Sequence, residues 1–80
     1  MKHLTVKWFA AYRDATGTTS EAIESRAETA ADLFAEMLTR HRELAVFSGA
    51  LVAINDEMAD WRSPVADGDQ ILFFPPVAGG

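Results

Sequence analysis

Asp67-Gly68-Asp69-Gln70-Ile71-Leu72-Phe73-Phe74-Pro75-Pro76 reads as a turn, a strand and a stop. The glycine supplies positive φ and the aspartates bond back to nearby amides, so the first three residues turn the chain. Ile71 to Phe74 is a continuous apolar run, as in a strand inside a sheet rather than at its edge. Pro75-Pro76 ends it, because proline lacks the N–H that a ladder needs and holds the backbone extended. Val77-Ala78-Gly79-Gly80 follows, shrinking toward a bare carboxylate that can fill no core. The expected arrangement is a last strand at the centre of a sheet, beside the first, with an extended tail leaving its end. Residues 1–74 then form one domain and 75–80 the tail.

The preceding segments fit around that strand. Lys2 to Phe9 alternates, with Leu4, Val6 and Trp8 on one face and Thr5, Lys7 and Phe9 on the other. Ala10 to Thr18 is expected as a compact loop turning at Gly17, and Ser20 to Ser25 as a second strand with Ile23 its main apolar residue. Together they make an N-terminal hairpin. Thr29 can cap a helix, with Asp32 in place of the usual Glu of a capping box. Ala30, Leu33, Phe34, Met37 and Leu38 recur at helical spacing. Asp32 and Glu36 lie early and Arg40, His41 and Arg42 late, an order that suits the helix dipole. Arg42 to Phe47 is expected as a short second helix ended by Ser48-Gly49. Leu51 to Ile54 reads as a third strand, Asn55-Asp56 as a turn and Glu57 to Trp61 as a fourth strand, with a break at Ser63-Pro64.

This order predicts an α+β fold, a ubiquitin-like β-grasp roll. A mixed sheet of four to five strands carries one main helix across one face. One helix covers one face only. Either Leu72 and Phe74 or Ile71 and Phe73 must therefore look outward, leaving an apolar patch of the kind that marks interaction sites.

Composition narrows the function. Eighty residues with 49% apolar and 24% charged side chains make a single globular domain. A chain of this size buries roughly 60% of its unfolded surface, leaving little room for a deep private pocket. The net charge of −5, with no basic cluster, argues against nucleic acid and for a basic protein surface as partner. There is no cysteine, so no disulfide, thiol nucleophile or cysteine metal site is available. No membrane span or signal peptide is visible, which makes the cytoplasm the expected compartment. His3 and His41 lack ligand spacing, and no metal site is expected. Asp67 and Asp69 read as turn formers, Ser48 and Ser63 have no base nearby in sequence, and Arg13-Asp14 reads as a surface ion pair.

The tail remains as the reactive part. Pro75, Pro76, Val77, Ala78, Gly79 and Gly80 can reach about 18–20 Å when extended. Gly79 and Gly80 carry no Cβ and fit a narrow channel. The group at the tip is the Gly80 carboxylate, inert until activated, for example as an acyl adenylate.

The run Phe73-Phe74-Pro75-Pro76-Val77-Ala78-Gly79-Gly80, the turn Asp67-Gly68-Asp69, the opening Phe9-Ala10 with Arg13 and Gly17, and Asn55 resemble the molybdopterin synthase small-subunit family. These are ubiquitin-like sulfur carriers, and the resemblance covers essentially the whole chain. It implies that an E1-like adenylyltransferase uses ATP to adenylate Gly80, with no cofactor bound by the chain itself. A persulfide donor then converts the adenylate to a thiocarboxylate. The tail enters the synthase large subunit, in a heterotetramer of two large and two small subunits, and gives its sulfur to cyclic pyranopterin monophosphate. The family's interface positions fall on Phe9, Met58 and Phe74, and its catalytic side chains belong to the large subunit. Thiamine-pathway sulfur carriers share the fold and the Gly-Gly end but are usually shorter and lack the Phe-Phe-Pro-Pro run. A ubiquitin-like protein modifier that forms isopeptide bonds is the other alternative.

Overall fold

Alternation becomes burial along the first strand. The computed structural model describes residues 1–46 and 50–75. In it, β1 (Lys2–Trp8) buries Leu4, Val6 and Trp8. It pairs antiparallel with β2 (Ser20–Ser25), with Leu4 opposite Ile23. The connection is not the expected plain loop. It holds a six-residue helix, α1 (Ala11–Thr16), closed by Gly17 at φ 77°, whose N–H donates to the Arg13 carbonyl at 2.9 Å. The helix contributes one fully buried ring, Tyr12. One apolar anchor in six residues makes no periodic pattern, which is why the segment reads as a loop.

The main helix, α2 (Ala30–Arg40), starts as its cap residues dictate. Asp32 N–H donates to Thr29 Oγ1 at 3.2 Å, and Thr29 N–H donates to Asp32 Oδ2 at 3.3 Å. Ala30, Leu33 and Met37 are buried, while Phe34 and Leu38 flank them half-buried. The expected short second helix forms as a 3₁₀ segment, Arg42–Val46. The expected continuation to Phe47 and the stop at Ser48-Gly49 lie outside the described residues.

The remaining strands are β3 (Leu51–Ile54), β4 (Glu57–Ala59) and β5 (Gln70–Phe74). The sheet order is β2-β1-β5-β3-β4, so the last strand is central, as its apolar run requires. It runs parallel to β1 and antiparallel to β3. Helix α2 joins β2 to β3, which point the same way but are separated by β1 and β5. This is a β-grasp: a mixed five-stranded sheet with a helix across it.

Strand β4 is shorter than expected and does not reach Trp61. Asp60 Oδ1 accepts from Arg62 N–H at 2.7 Å, and Ser63 N–H donates to the Asp60 carbonyl at 3.0 Å, turning the chain. The turn brings the Trp61 and Ser63 carbonyls to the start of α2, where they accept from Ala31 and Ala30 at 3.0 Å each. The Trp61 ring stacks on Phe73 with centroids 5.9 Å apart. Phe73 is the hub of the aromatic core, also meeting Trp8 at 5.5 Å and Phe34 at 4.9 Å.

Candidate functional site: the helix-free face and the root of the tail

The register sets which side chains α2 leaves uncovered. Ile71 and Phe73 are fully buried, so Leu72 and Phe74, both half-buried, take the other face. Lys7, Leu72, Ala53 and Met58 are successive partners across β1, β5, β3 and β4 and form one row on that face. Leu51 stands opposite Phe74 in the next row, and Phe9 follows β1 beside it. Phe9 is 60% exposed and Met58 65%. Phe9, Leu72 and Phe74 line an open cleft of about 200 Å³. The three side chains singled out by the resemblance, Phe9, Met58 and Phe74, thus lie on one surface at the end of the strand that leads into the tail. Leu51 belongs to it too. The four-residue strand Leu51–Ile54 is apolar throughout, so its sequence alone does not show which residues face the helix.

Two devices aim this surface. At one end Ala10 adopts φ 52°, ψ −126°, a conformation rare for a residue with a Cβ. It turns the chain from β1 into α1 and leaves Phe9 pointing out, while Tyr12 N–H donates to the Phe9 carbonyl at 3.1 Å. At the other end, the Asp67-Gly68-Asp69 turn locks the start of β5. Gly68, at φ 89°, donates its N–H to the His3 carbonyl at 2.7 Å, and Thr5 N–H donates to the Asp69 carbonyl at 3.1 Å. Asp67 Oδ1 accepts from His3 N–H at 2.6 Å, and Asp69 Oδ2 accepts from Ala66 N–H at 2.8 Å. Asn55 gives Nδ2–H to Asp69 Oδ1 at 2.8 Å and takes Gln70 N–H on Oδ1 at 2.9 Å. A one-residue slip of β5 would reverse every side chain, turning Phe73 out and Phe74 in. These bonds oppose that slip.

Several polar groups elsewhere are committed to structure. His3 Nε2 lies 3.2 Å from Glu24, and the bond from the His3 amide, more than the nearby ring, holds the Asp67 carboxyl below its ordinary range. Glu21 escaped the sequence reading, although its parity with Ile23 turns it inward. It accepts from Trp8 Nε1 at 2.9 Å and Arg40 Nη1 at 3.1 Å, and lies 2.8 Å from His41 Nε2. Burial alone would raise its pKa, but the bonds from Trp8, His41 and Arg40 together outweigh that and lower it. Burial pushes the Tyr12 phenol up. The expected Arg13–Asp14 ion pair does not form; neighbours along a helix point in different directions. No cluster of three or more potential metal ligands occurs among the described residues. Pro75, half-buried, ends the described chain. Pro76, Val77, Ala78, Gly79 and Gly80 lie outside it, as does Ser48. Among the described residues no helix is long and apolar enough to cross a membrane.

Comparison with known proteins gives this surface a context. The ThiS family model matches residues 6–80, which include the tail. The molybdopterin synthase sulfur carrier subunit of Escherichia coli is 32% identical over 80 residues, covering 96% of this chain and 99% of that one. Its Haemophilus influenzae counterpart is 38% identical over 81 residues, with the same coverage. Among solved structures, a Helicobacter pylori complex of subunits 1 and 2 of molybdopterin-converting factor contains a chain 29% identical to this one. That match has a TM-score of 0.67 and covers 98% of this chain and 99% of that one. Small archaeal modifier protein 1 of Haloferax volcanii superposes with a TM-score of 0.84 over 96% of this chain and 100% of its own. At 24% identity it shares the fold alone.

Proposed function

This chain belongs to the ThiS family, and on that premise we propose that it is the sulfur-carrying small subunit of a molybdopterin synthase. The observation that carries the reading is the full-length similarity to two curated sulfur carrier subunits of that enzyme. The apolar face at the root of the tail supports it, because a tail that delivers a group into another protein needs a docked base. The H. pylori complex is of two subunits of such a factor.

In this reading an E1-like enzyme couples the Gly80 carboxylate to AMP from ATP, with pyrophosphate leaving. The outer sulfur of a persulfide donor displaces AMP to give an acyl disulfide. A second thiol then attacks the donor sulfur, forming a disulfide with the donor and releasing Gly80 as a thiocarboxylate. Phe9, Leu72, Phe74 and Met58 seat the roll on the large subunit. Pro75-Pro76 then keeps the tail from returning to the sheet and directs it into the large subunit's active site. There the thiocarboxylate sulfur bonds to cyclic pyranopterin monophosphate. Water hydrolyses the resulting thioester, leaving the sulfur on the pterin and returning Gly80 as a carboxylate. The small subunit supplies reach, aim and sulfur, and the large subunit supplies the catalytic side chains, in an assembly of two of each.

Intact mass spectrometry tests this directly. After incubation with the activating enzyme, ATP and a persulfide donor, one oxygen of the chain should be replaced by sulfur. Deleting Gly80 should abolish both that change and pterin sulfuration. Sulfuration that survives the deletion overturns the proposal, and isopeptide adducts without a thiocarboxylate favour a protein modifier instead.

A further inference from the structure

The helix-free face holds three charged or ionisable strand side chains, His3, Glu24 and Lys7. The first two face each other across β1 and β2 with His3 Nε2 3.2 Å from Glu24 Oε1, so they satisfy one another. Lys7 is exposed and has no ion-pair partner among the described residues. Its cross-strand neighbours are Ser20 on one side and Leu72 on the other, and Phe9 follows two residues on. It therefore stands at the margin of the Phe9–Leu72–Phe74 cleft. The chain's other lysine, Lys2, is already engaged, donating from Nζ to the Ala27 carbonyl at 2.6 Å.

A protein that covers Phe9, Leu72 and Phe74 must also cover or closely approach Lys7. An ammonium taken out of water without a counter-charge is strongly unfavourable. The net charge of −5 draws a basic partner surface at long range, but a basic group placed opposite Lys7 would be repelled. The two facts together describe the mating surface: basic around its rim, apolar where Phe9 and Phe74 sit, and acidic at one point beside them.

We propose that Lys7 is a specificity-determining contact of this face, pairing with a carboxylate that the synthase large subunit places next to the pocket for Phe9 and Phe74. The inference rests on the docking described above, and its test separates the two. Equilibrium binding to the purified large subunit is measured for wild type, Lys7→Glu, Lys7→Arg and Phe9→Ala, with thermal melts as a fold control. Lys7 is exposed on the face opposite the core, so the melts of its variants should match wild type. Lys7→Glu should weaken binding by about tenfold or more, while Lys7→Arg stays within about threefold. Among single Asp or Glu→Lys reversals on the large subunit, one should restore binding of Lys7→Glu. If Phe9→Ala weakens binding and Lys7→Glu does not, docking stands and the role of Lys7 is overturned. If neither weakens it, this face is not the docking surface and both proposals fall.

Discussion

Phe73 and Phe74 are adjacent, chemically identical and opposite in role. Phe73 is fully buried against Trp8, Phe34 and Trp61, whereas Phe74 borders the cleft beside Phe9. Phe73→Ala should cost about 3–5 kcal/mol of folding stability in a urea titration. Phe74→Ala should cost less than about 1 kcal/mol there, yet weaken association with the large subunit by more than about 1 kcal/mol. Equal losses of stability from both would mean that the two faces of β5 are reversed. Ala10 presents a different case. Its φ of 52° with ψ −126° carries about 1–3 kcal/mol of backbone strain, which glycine would relieve. Glycine also frees the unfolded chain by about 0.4–1 kcal/mol. The net expectation for Ala10→Gly is a gain of about 1 kcal/mol in folding stability, read from a urea titration, accompanied by weaker docking because Phe9 is no longer held outward. Period-two alternation made the exposure of Phe9 legible; the strain at Ala10 was not, because alanine carries no mark of the conformation it is forced into.

Turns and caps show where local sequence is strong enough to specify structure by itself. Asn55 and Asp56 both have positive φ, 51° and 70°, as a two-residue hairpin of the I′ type requires. Asn tolerates that conformation well, and Gly suits the second position better than Asp. Asp56→Gly should therefore raise the midpoint of thermal unfolding, by an amount corresponding to about 0.5–1 kcal/mol, without altering docking. Unchanged or lower stability would mean that Asp56 makes a contact that outweighs its backbone conformation. The Thr29 cap with Asp32 was legible for the same reason: the side chains that mark it make its bonds. Segments governed by distant contacts were less so. Helix α1 exists because Tyr12 reaches the core, and β4 ends early because Asp60 and Ser63 bond into a turn that delivers Trp61 to Phe73. Alternation in Glu57-Met58-Ala59-Asp60-Trp61 conceals that turn. The link of Met58 to Phe74 likewise needs the register through Ala53 and Leu72, which no linear pattern supplies.

The elements are tied together at two carboxylates, and these make the fold acid-sensitive. Glu21 on β2 binds Trp8 of β1 together with Arg40 and His41 at the end of α2, fixing the helix to the edge of the sheet. Asp67 binds the start of β1 to the turn before β5, the strand that aims the tail. Both have folded-state pKa values below their ordinary ones. The folded chain thus holds these protons less tightly than the unfolded chain does. Above the ordinary carboxylate range, roughly pH 4, their stabilisation is fully present. As pH falls from there toward the depressed folded values, the unfolded chain takes up protons first and stability is lost. The urea midpoint should therefore fall as the pH drops through and below the ordinary carboxylate range, roughly pH 4. Glu21→Gln should be less stable at neutral pH, because it leaves Arg40 and His41 without their carboxylate, and should show a shallower acid drop. A drop as steep as wild type would mean that other carboxylates govern acid unfolding. The effect bears on the proposed docking because β1 pairs with both β2 and β5. Loosening β1 at either side releases the register that keeps Phe74 out and Phe73 in, so docking affinity should fall in the same acid window as the urea midpoint.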